Sequence, residues 1–156
     1  MFGAGGTNSK MRGVIPRSAD ELFAGIADSE ELDEVTIKCS FLEIYLESIR
    51  DLLQPKNKGL KIRELPSGEV YVQGLSDEYV SSSEDIMTLL AAGEKNRTVA
   101  ATSMNEVSSR SHSVLIIVVN QKLKDGSVRV GKLNLADLAG SEKSVQTEDG
   151  SQSLEK

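Results

Sequence analysis

The chain has 156 residues and a formal net charge of −6, with 38% hydrophobic and 27% charged residues. That length is enough for one domain with its own core, and the composition is ordinary for a globular protein. The acidic balance gives no general attraction to nucleic acid or to anionic lipid, so we expect neither nucleic acid nor a membrane as a partner. No stretch approaches the roughly 20 apolar residues that span a bilayer, and the N-terminus has no basic segment followed by an apolar one, so no secretory signal is expected.

Cys39 is the only cysteine in the sequence. It cannot form an internal disulfide, which is typical of a protein in a reducing compartment. Because it lies in an apolar strand pattern, we expect a buried structural thiol and not a nucleophile. These observations favour the cytoplasm or the nucleus.

The first part of the chain combines a glycine-rich stretch with one helix. Residues 1–13 read MFGAGGTNSKMRG and are predicted to form a loop or a frayed end. The run Ser18-Ala19-Asp20-Glu21 has the pattern of a capping box, in which the first and last side chains bond each other's backbone amides. The apolar spacing that follows predicts a helix from about Ala19 to Ala27.

Short elements are predicted next. Residues 35–41 alternate between apolar and polar, and the change of phase at Leu42 indicates a bulge or a strand buried on both faces. Residues 49–53 are predicted to form a short helical turn closed by Pro55. Three further short strands are predicted at Leu60–Arg63, Glu69–Gln73 and Glu78–Val80. Together they are expected to form a small antiparallel unit.

A second helix and a long hairpin follow. The run Ser82–Asp85 predicts a helix start, and Gly93 predicts its end. A long strand is predicted from His112 to Lys124, followed by an Asp-Gly turn, which tolerates the positive φ of a tight hairpin. Val128–Asp137 is predicted as the returning strand. This order of helices and strands predicts one α/β or α+β domain.

Polar motifs flank these last two strands. The run Asn105-Glu106-Val107-Ser108-Ser109-Arg110-Ser111-His112 precedes a buried strand, and its hydroxyls suit a hydrated Mg²⁺ ion and phosphate oxygens. A serine-rich turn capped by its own hydroxyls explains that run equally well. In Leu135-Ala136-Asp137-Leu138-Ala139-Gly140-Ser141-Glu142 a strand ends in an aspartate with a glycine three residues later, as in the metal-side loop of a nucleotide hydrolase. An ordinary aspartate turn is the alternative.

Together these ordered motifs resemble the kinesin motor domain. Residues 93–113 are similar to the segment that leads into the first kinesin switch, and residues 137–142 resemble the second switch. Residues 41–45 and 50–53 resemble a central strand and its exit, and residues 13–17 resemble the segment after the phosphate loop. The chain is therefore identified as a member of the kinesin family, similar above all to the conventional transport kinesins. The resemblance implies an α/β, P-loop NTPase-like motor core with a central mixed sheet and flanking helices. Residues 1–156 are expected to form only part of this motor domain, which is truncated at both ends.

The resemblance also implies a site for ATP and Mg²⁺, built from a degenerate phosphate loop at residues 3–7, a first switch at 105–112 and a second switch at 137–142. The implied nucleotide-binding residues are Gly3, Gly5, Gly6, Thr7, Asn105 and Ser108. The implied metal-site residues are Thr7, Ser109 and Asp137. The implied catalytic residues are Ser109, Arg110, Gly140 and Glu142. Among them, Arg110 and Glu142 form the salt bridge that closes the two switches, and Gly140 donates its amide to the γ-phosphate. His112 is implied to be a conformational and packing residue, and a hydrogen-bonded histidine at a strand end fits it equally well.

The phosphate loop departs from the family pattern. The lysine of G-x-x-x-x-G-K-[ST] neutralises the β- and γ-phosphates, and Gly6 takes its place here. Whether the chain is an enzyme is therefore left open, and we expect it to hydrolyse little or no ATP. Ser48, Glu69 and the acidic pair Glu148 and Asp149 lie where the family is usually basic, so weak binding to microtubules is expected.

Three interpretations follow. The first is a kinesin motor fragment, located in the cytoplasm on the microtubule cytoskeleton, whose family couples ATP hydrolysis to movement along microtubules. The second is a non-catalytic fragment that binds tubulin or a partner motor, for example by association with full-length kinesin. The third is a partial gene product without folded function.

Overall fold

The structure, a computed structural model, describes residues 12–101 and 111–139. Its elements, in chain order, are α1 (Val14–Ala27), β1 (Leu32–Tyr45), β2 (Ser48–Asp51), β3 (Lys58–Glu64), β4 (Val70–Gln73), β5 (Glu78–Val80), α2 (Ser83–Ala101), β6 (His112–Leu123) and β7 (Val128–Asp137). The strands form one sheet in the order β4-β3-β2-β1-β6-β7, with β5 paired to β1. The pairings among these described strands are antiparallel. In the described part of the chain, neither helix has the length and apolar character needed to cross a membrane.

The central strand β1 is buried on both faces. Residues 39–43 are all buried, although consecutive side chains of a strand point to opposite sides. Of the two explanations for the change of phase at Leu42, the doubly buried strand is therefore correct. The register irregularity of β1 lies elsewhere, between Leu32 and Glu34.

Both helices pack on one face of the sheet. The buried cluster on this face combines residues of both helices and of the central strands: Ile15, Ala19, Ile37, Cys39, Phe41, Leu52, Val80, Ile86, Leu90, Leu115, Ile117 and Val119. Burying a large aliphatic or aromatic side chain stabilises a fold by about 1.5–3 kcal/mol, so this cluster is the main source of stability. Cys39 is fully buried within it, and burial raises the pKa of its thiol to about 12. The prediction of a structural thiol is confirmed.

Helix α1 begins earlier than its sequence pattern predicts. Its N-cap is Gly13, and Ser18 lies inside the helix, so the predicted capping box is wrong. Ile15, in the first turn, is buried against the sheet, and this tertiary contact carries the helix back to Val14. Pro16 is tolerated there because the first turn needs no donor from its backbone nitrogen.

Helix α2 starts as predicted and ends later. The hydroxyl of Ser82 accepts a hydrogen bond from the amide of Asp85 at 3.1 Å, and the Asp85 carboxylate accepts from the amide of Ser82 at 3.1 Å. This reciprocal pair is a capping box. Gly93, predicted to end the helix, lies in its interior because it faces Phe41 closely: a Cβ on Gly93 would lie 2.3 Å from Cδ1 of that ring. The glycine therefore permits close packing of the helix against β1, and it does not end the helix.

The predicted helical turn at residues 49–53 is wrong, because residues 48–51 form β2. A two-residue turn at Leu46 and Glu47, with φ of 47° and 60°, returns the chain so that Ile49 lies opposite Ile44. After β2, the buried carboxylate of Asp51 holds the next loop. It accepts hydrogen bonds from the amides of Leu53, Gln54 and Ser76 and from the Asn57 side chain.

Two hairpins complete the sheet. The turn between β6 and β7 has Gly126 at φ 85°, which confirms the Asp-Gly prediction. The hairpin of β3 and β4 lies toward the face opposite the helices and borders a cavity of about 460 Å³ there. Lys132 of β7 connects to this hairpin, since its Nζ donates to the carbonyl of Val70 at 3.2 Å and lies 3.9 Å from the carboxylate of Glu69. The third predicted short strand, β5, was expected to belong to the same small antiparallel unit as β3 and β4. It pairs with β1 instead.

Candidate functional site

The end of α2, the start of β6 and the end of β7 come together at one end of the sheet. Ser113 of β6 pairs with Asp137, the last residue of β7, and on its other side with Glu43 of β1. Arg97, near the end of α2, reaches Ser111 immediately before β6. The two segments predicted as switches therefore adjoin neighbouring strands, one leading into β6 and the other leaving β7.

A buried ion-pair network supports the start of β6. Glu43 is fully buried, and one of its carboxylate oxygens accepts from Nε of Arg97 at 3.3 Å. The other oxygen forms a salt bridge with Arg50. Nη2 of the Arg97 guanidinium donates to the carbonyl of Ser111 at 3.2 Å and to the Ser111 hydroxyl at 3.0 Å. Because a buried charge without its partner is strongly destabilising, each member of this network holds the others in place.

Glu94 adds a second carboxylate to this end of the sheet. Burial raises the pKa of its carboxyl group, and the negative charge of nearby Asp137 raises it further. The opposing influence is Arg97, whose guanidinium lies 3.6 Å from the Glu94 carboxylate. The last turns of α2 therefore bring a carboxylate and a guanidinium close to the end of β7.

His112 connects the two strand ends directly. Its Nδ1 accepts a hydrogen bond from the amide of Ala139 at 3.0 Å. Since His112 is the first residue of β6 and Ala139 follows β7, the histidine fixes the backbone just after Asp137. His112 is thus a hydrogen-bonded histidine at a strand end, as one of its two interpretations expected.

Of the predicted site residues, the structure describes only Asp137. It is the final residue of β7, at the carboxyl end of a strand, where the sequence pattern places it. The remaining predicted site residues lie outside the described ranges: Gly3, Gly5, Gly6, Thr7, Asn105, Ser108, Ser109, Arg110, Gly140 and Glu142.

Sequence reasoning missed the residues that support this site. Glu43 and Arg97 are 54 positions apart, and nothing in their spacing pairs them. A signal existed nonetheless, because Glu43 is a charged residue within an otherwise apolar strand run, Phe41-Leu42-Glu43-Ile44-Tyr45. A carboxylate in such a position requires a buried cationic partner.

The described residues can supply part of a magnesium site. They contain no group of three or more histidine, cysteine, aspartate or glutamate side chains arranged to hold a metal ion. Asp137 offers one carboxylate at a strand end, and Mg²⁺ in nucleotide sites keeps several waters and takes few protein ligands. The donor set of these residues therefore fits a water-mediated contact through Asp137.

Comparisons with known proteins identify the family of this chain. The family model of the kinesin motor domain matches residues 1–156. Kinesin-related protein 5 of Dictyostelium discoideum is 57% identical over 142 residues, covering 90% of this chain and 14% of that protein. A kinesin heavy chain of Botryotinia fuckeliana is 47% identical over 156 residues, covering 99% of this chain and 18% of that protein.

A solved structure shows the same fold. It is a fast kinesin, described for its ATPase mechanism and its interactions with microtubules, with a TM-score of 0.85 and 42% identity over 98% of this chain and 44% of that one. The chain belongs to the kinesin motor domain family, a family of microtubule motors. The predicted motor fold, a central sheet with flanking helices forming part of the domain, is confirmed. The chain spans less than a fifth of the length of the two curated relatives named above.

Proposed function

We propose that this chain is a nucleotide-responsive part of a kinesin microtubule motor that binds ATP with Mg²⁺, contacts microtubules weakly and hydrolyses little ATP by itself. One observation carries the proposal: Asp137 ends β7 directly beside the start of β6, so the two predicted switch segments leave adjacent strands. In nucleotide hydrolases of this type, loops at such strand ends contact the metal and the terminal phosphate.

The chain's own residues have distinct roles in this proposal. Asp137 holds a water of the metal ion, and Mg²⁺, when bound, neutralises the negative charge of the phosphates. Arg97 fixes the backbone of Ser111, where the first switch segment joins β6. His112 fixes Ala139 after β7. The first segment is therefore anchored to α2 and the second to the start of β6, at two consecutive residues of the chain, Ser111 and His112.

The proposed weakness in hydrolysis comes from the phosphate loop. Gly6 provides no amine where the motif has the lysine that neutralises the β- and γ-phosphates. Preorganised positive charge at a developing negative charge accounts for a large share of phosphoryl-transfer catalysis. Binding without that lysine relies on the Mg²⁺ ion, which Asp137 would hold through water. We therefore propose binding as the retained property and hydrolysis as the reduced one.

A thermal melt by circular dichroism, with and without Mg-ATP, tests binding. A ligand that binds only the native state raises the melting temperature, so we expect Mg-ATP to raise it in the unaltered protein. The rise should be smaller in Asp137→Ala and unchanged in Lys122→Ala, a control at an exposed ion pair with Asp33 on β1. A melting temperature indifferent to Mg-ATP would contradict nucleotide binding, and the absence of a cooperative transition would favour a product without folded function.

Phosphate release with and without microtubules tests hydrolysis. We expect negligible turnover in the unaltered chain and an increase of at least about tenfold in Gly6→Lys, since restoring one charge-stabilising donor is worth about 10²–10³ in comparable sites. Microtubule-stimulated turnover in the unaltered chain would overturn the proposed impairment.

A non-catalytic fragment that binds tubulin or a partner motor is the second candidate. It is favoured by the exposed apolar side chains of the β3–β4 hairpin, Ile62 and Val70, together with Gly6 in place of lysine. Co-sedimentation with microtubules distinguishes the two. Binding that changes between ATP and ADP supports the nucleotide-responsive motor, whereas binding that ignores nucleotide supports the non-catalytic fragment.

A further inference from the structure

The backbone pairing of β6 with β7 ends where the predicted second switch begins. Among the described residues, the last pair of this ladder is Ser113 with Asp137. Two residues further along the same register, Ser111 would lie opposite Ala139. In an antiparallel ladder the amide and carbonyl groups of facing residues satisfy each other. Because the ladder has stopped, Ser111 and Ala139 need other partners.

Side chains provide both partners. The carbonyl of Ser111 accepts a hydrogen bond from Nη2 of Arg97 at 3.2 Å. The amide of Ala139 donates to Nδ1 of His112 at 3.0 Å. Arg97 therefore occupies the carbonyl of the residue that would face Ala139, and the imidazole of His112 receives the Ala139 amide. Helix α2 thus determines where the ladder ends, and β6 supplies a side chain in place of the next pair.

The position of His112 makes its imidazole a rigid acceptor. His112 pairs with Ile44 of the central strand β1, and its neighbours Ser111 and Ser113 are buried. The ring is itself partly buried. A backbone amide can only donate, so Nδ1 is the acceptor in this contact and the neutral ring carries its proton on Nε2. The contact with Ala139 therefore fixes the tautomer of His112.

We propose that His112 is the positioning residue of the second switch segment, and that Arg97 gives it this role by ending the β6–β7 ladder at Ser113 and Asp137. His112 acts through the backbone of Ala139, so it is a positioning and not a catalytic residue. The segment that is expected to contact the terminal phosphate then starts from a fixed amide, and such preorganisation favours recognition of that phosphate. This last step rests on the proposed function, whereas the hydrogen bond itself does not.

Nuclear magnetic resonance of the isotopically labelled, unaltered chain tests the hydrogen bond directly. A scalar coupling between the amide nitrogen of Ala139 and Nδ1 of His112 is transmitted only through an N–H···N hydrogen bond. We expect this coupling, together with a His112 ring that carries its proton on Nε2. Absence of the coupling, or a ring that carries its proton on Nδ1 alone, would overturn the proposal.

Two matched variants test the role of the acceptor. The side chains of His112→Asn and His112→Leu have the same branching, but only asparagine has an acceptor oxygen at the position of Nδ1. Loss of one net hydrogen bond should speed hydrogen exchange of the Ala139 amide about two- to tenfold in the leucine variant. The asparagine variant should exchange at nearly the unaltered rate, and amides in the middle of β6 and β7 should be unchanged in both. Equal exchange of Ala139 in the two variants would contradict the role of Nδ1.

Thermal melts with Mg-ATP and with Mg-ADP separate this inference from the proposed function. We expect Mg-ATP to raise the melting temperature more than Mg-ADP in the unaltered protein and in His112→Asn. In His112→Leu the shift with Mg-ADP should remain and the additional shift with Mg-ATP should be lost. Equal loss of both shifts in that variant would indicate a general destabilisation and overturn the positioning role.

A melting temperature of the unaltered protein that is indifferent to both nucleotides would contradict the proposed function alone. The scalar coupling and the exchange of Ala139 would then decide whether His112 positions the segment. Circular dichroism confirms that each variant is folded, and the coupling in the unaltered protein decides the question if His112→Leu is not.

Discussion

Gly93 of α2 lies against the ring of Phe41 of β1, so that a Cβ on Gly93 would fall 2.3 Å from Cδ1 and 2.8 Å from Cε1 of the phenylalanine. Both carbons belong to a ring that is itself buried in the central cluster and has little room to move. The helix and the central strand approach each other at a distance that only a glycine allows. The position of α2, and with it that of Arg97 one turn later, depends on this contact.

Gly93→Ala should therefore destabilise the protein by about 1–3 kcal/mol, the usual cost of adding a methyl group to a well-packed core. Urea unfolding measures this. Gly25→Ala in α1 is the matched control, because no atom lies within 4 Å of a Cβ at that position. Alanine is the better helix former, so that variant should gain about 0.5–1 kcal/mol. Equal effects of the two substitutions would contradict the close approach at Phe41.

Glu43→Gln should destabilise the protein by roughly 3–5 kcal/mol, because it leaves two arginines without their buried anion. That is a large part of the 5–15 kcal/mol typical of a folded domain. Urea unfolding of the variant beside Lys122→Ala checks it, since the exposed Lys122–Asp33 pair should be worth less than about 1 kcal/mol. A loss below about 1 kcal/mol in Glu43→Gln would show that the network adds little to stability.

The thiol of Cys39 should be unreactive in the native protein. Burial raises its pKa to about 12, so the reactive thiolate is nearly absent at neutral pH, and the sulfur has no exposed surface. A thiol-specific reagent at pH 8 should label it at the rate of unfolding, and at once in urea. Fast labelling of the folded protein at pH 8 would mean that the core opens around β1.

Acid should weaken the start of α2. Hydrogen bonds from Ser81, first from its amide and then from its hydroxyl, hold the pKa of Asp85 below its ordinary value of 3.8. A carboxyl group whose folded pKa is depressed contributes stability above its unfolded pKa. That contribution is lost as the pH falls from about 3.8 through the folded value. Urea unfolding between pH 2 and pH 7 should therefore show a smaller loss below pH 4 in Asp85→Asn than in the unaltered protein. Parallel curves would contradict this role for Asp85.

Local patterns were sufficient for the elements that depend on neighbouring residues. The β6–β7 hairpin was predicted because the apolar run and the Asp-Gly turn act within a few residues of each other. The start of α2 was predicted because Ser82 and Asp85 satisfy each other's amides. Asp137 was predicted correctly at the end of its strand because the alternation of apolar residues that defines the strand stops at this aspartate.

Elements decided by distant contacts were missed. Residues 49–53 have apolar spacing that suits a helical turn, but pairing with β1 makes the first of them a strand. Gly93 has the local pattern of a helix end, but it lies inside α2, where a larger residue would collide with the ring of Phe41. The Glu43–Arg97 pair joins residues far apart in sequence. Only the fold brings them together, so the support of the candidate site was out of reach of sequence spacing.

The β3–β4 hairpin, described above as bordering a cavity on the helix-free face, has a consequence for hydrogen exchange. The buried cluster of the described residues takes no side chain from either of its strands, and Lys132 connects it to β7 through the carbonyl of Val70. Segments with few buried contacts open without global unfolding. The amides of β3 and β4 therefore belong to a cooperative unit of lower stability, which exchanges with solvent while β1 and β6 remain protected.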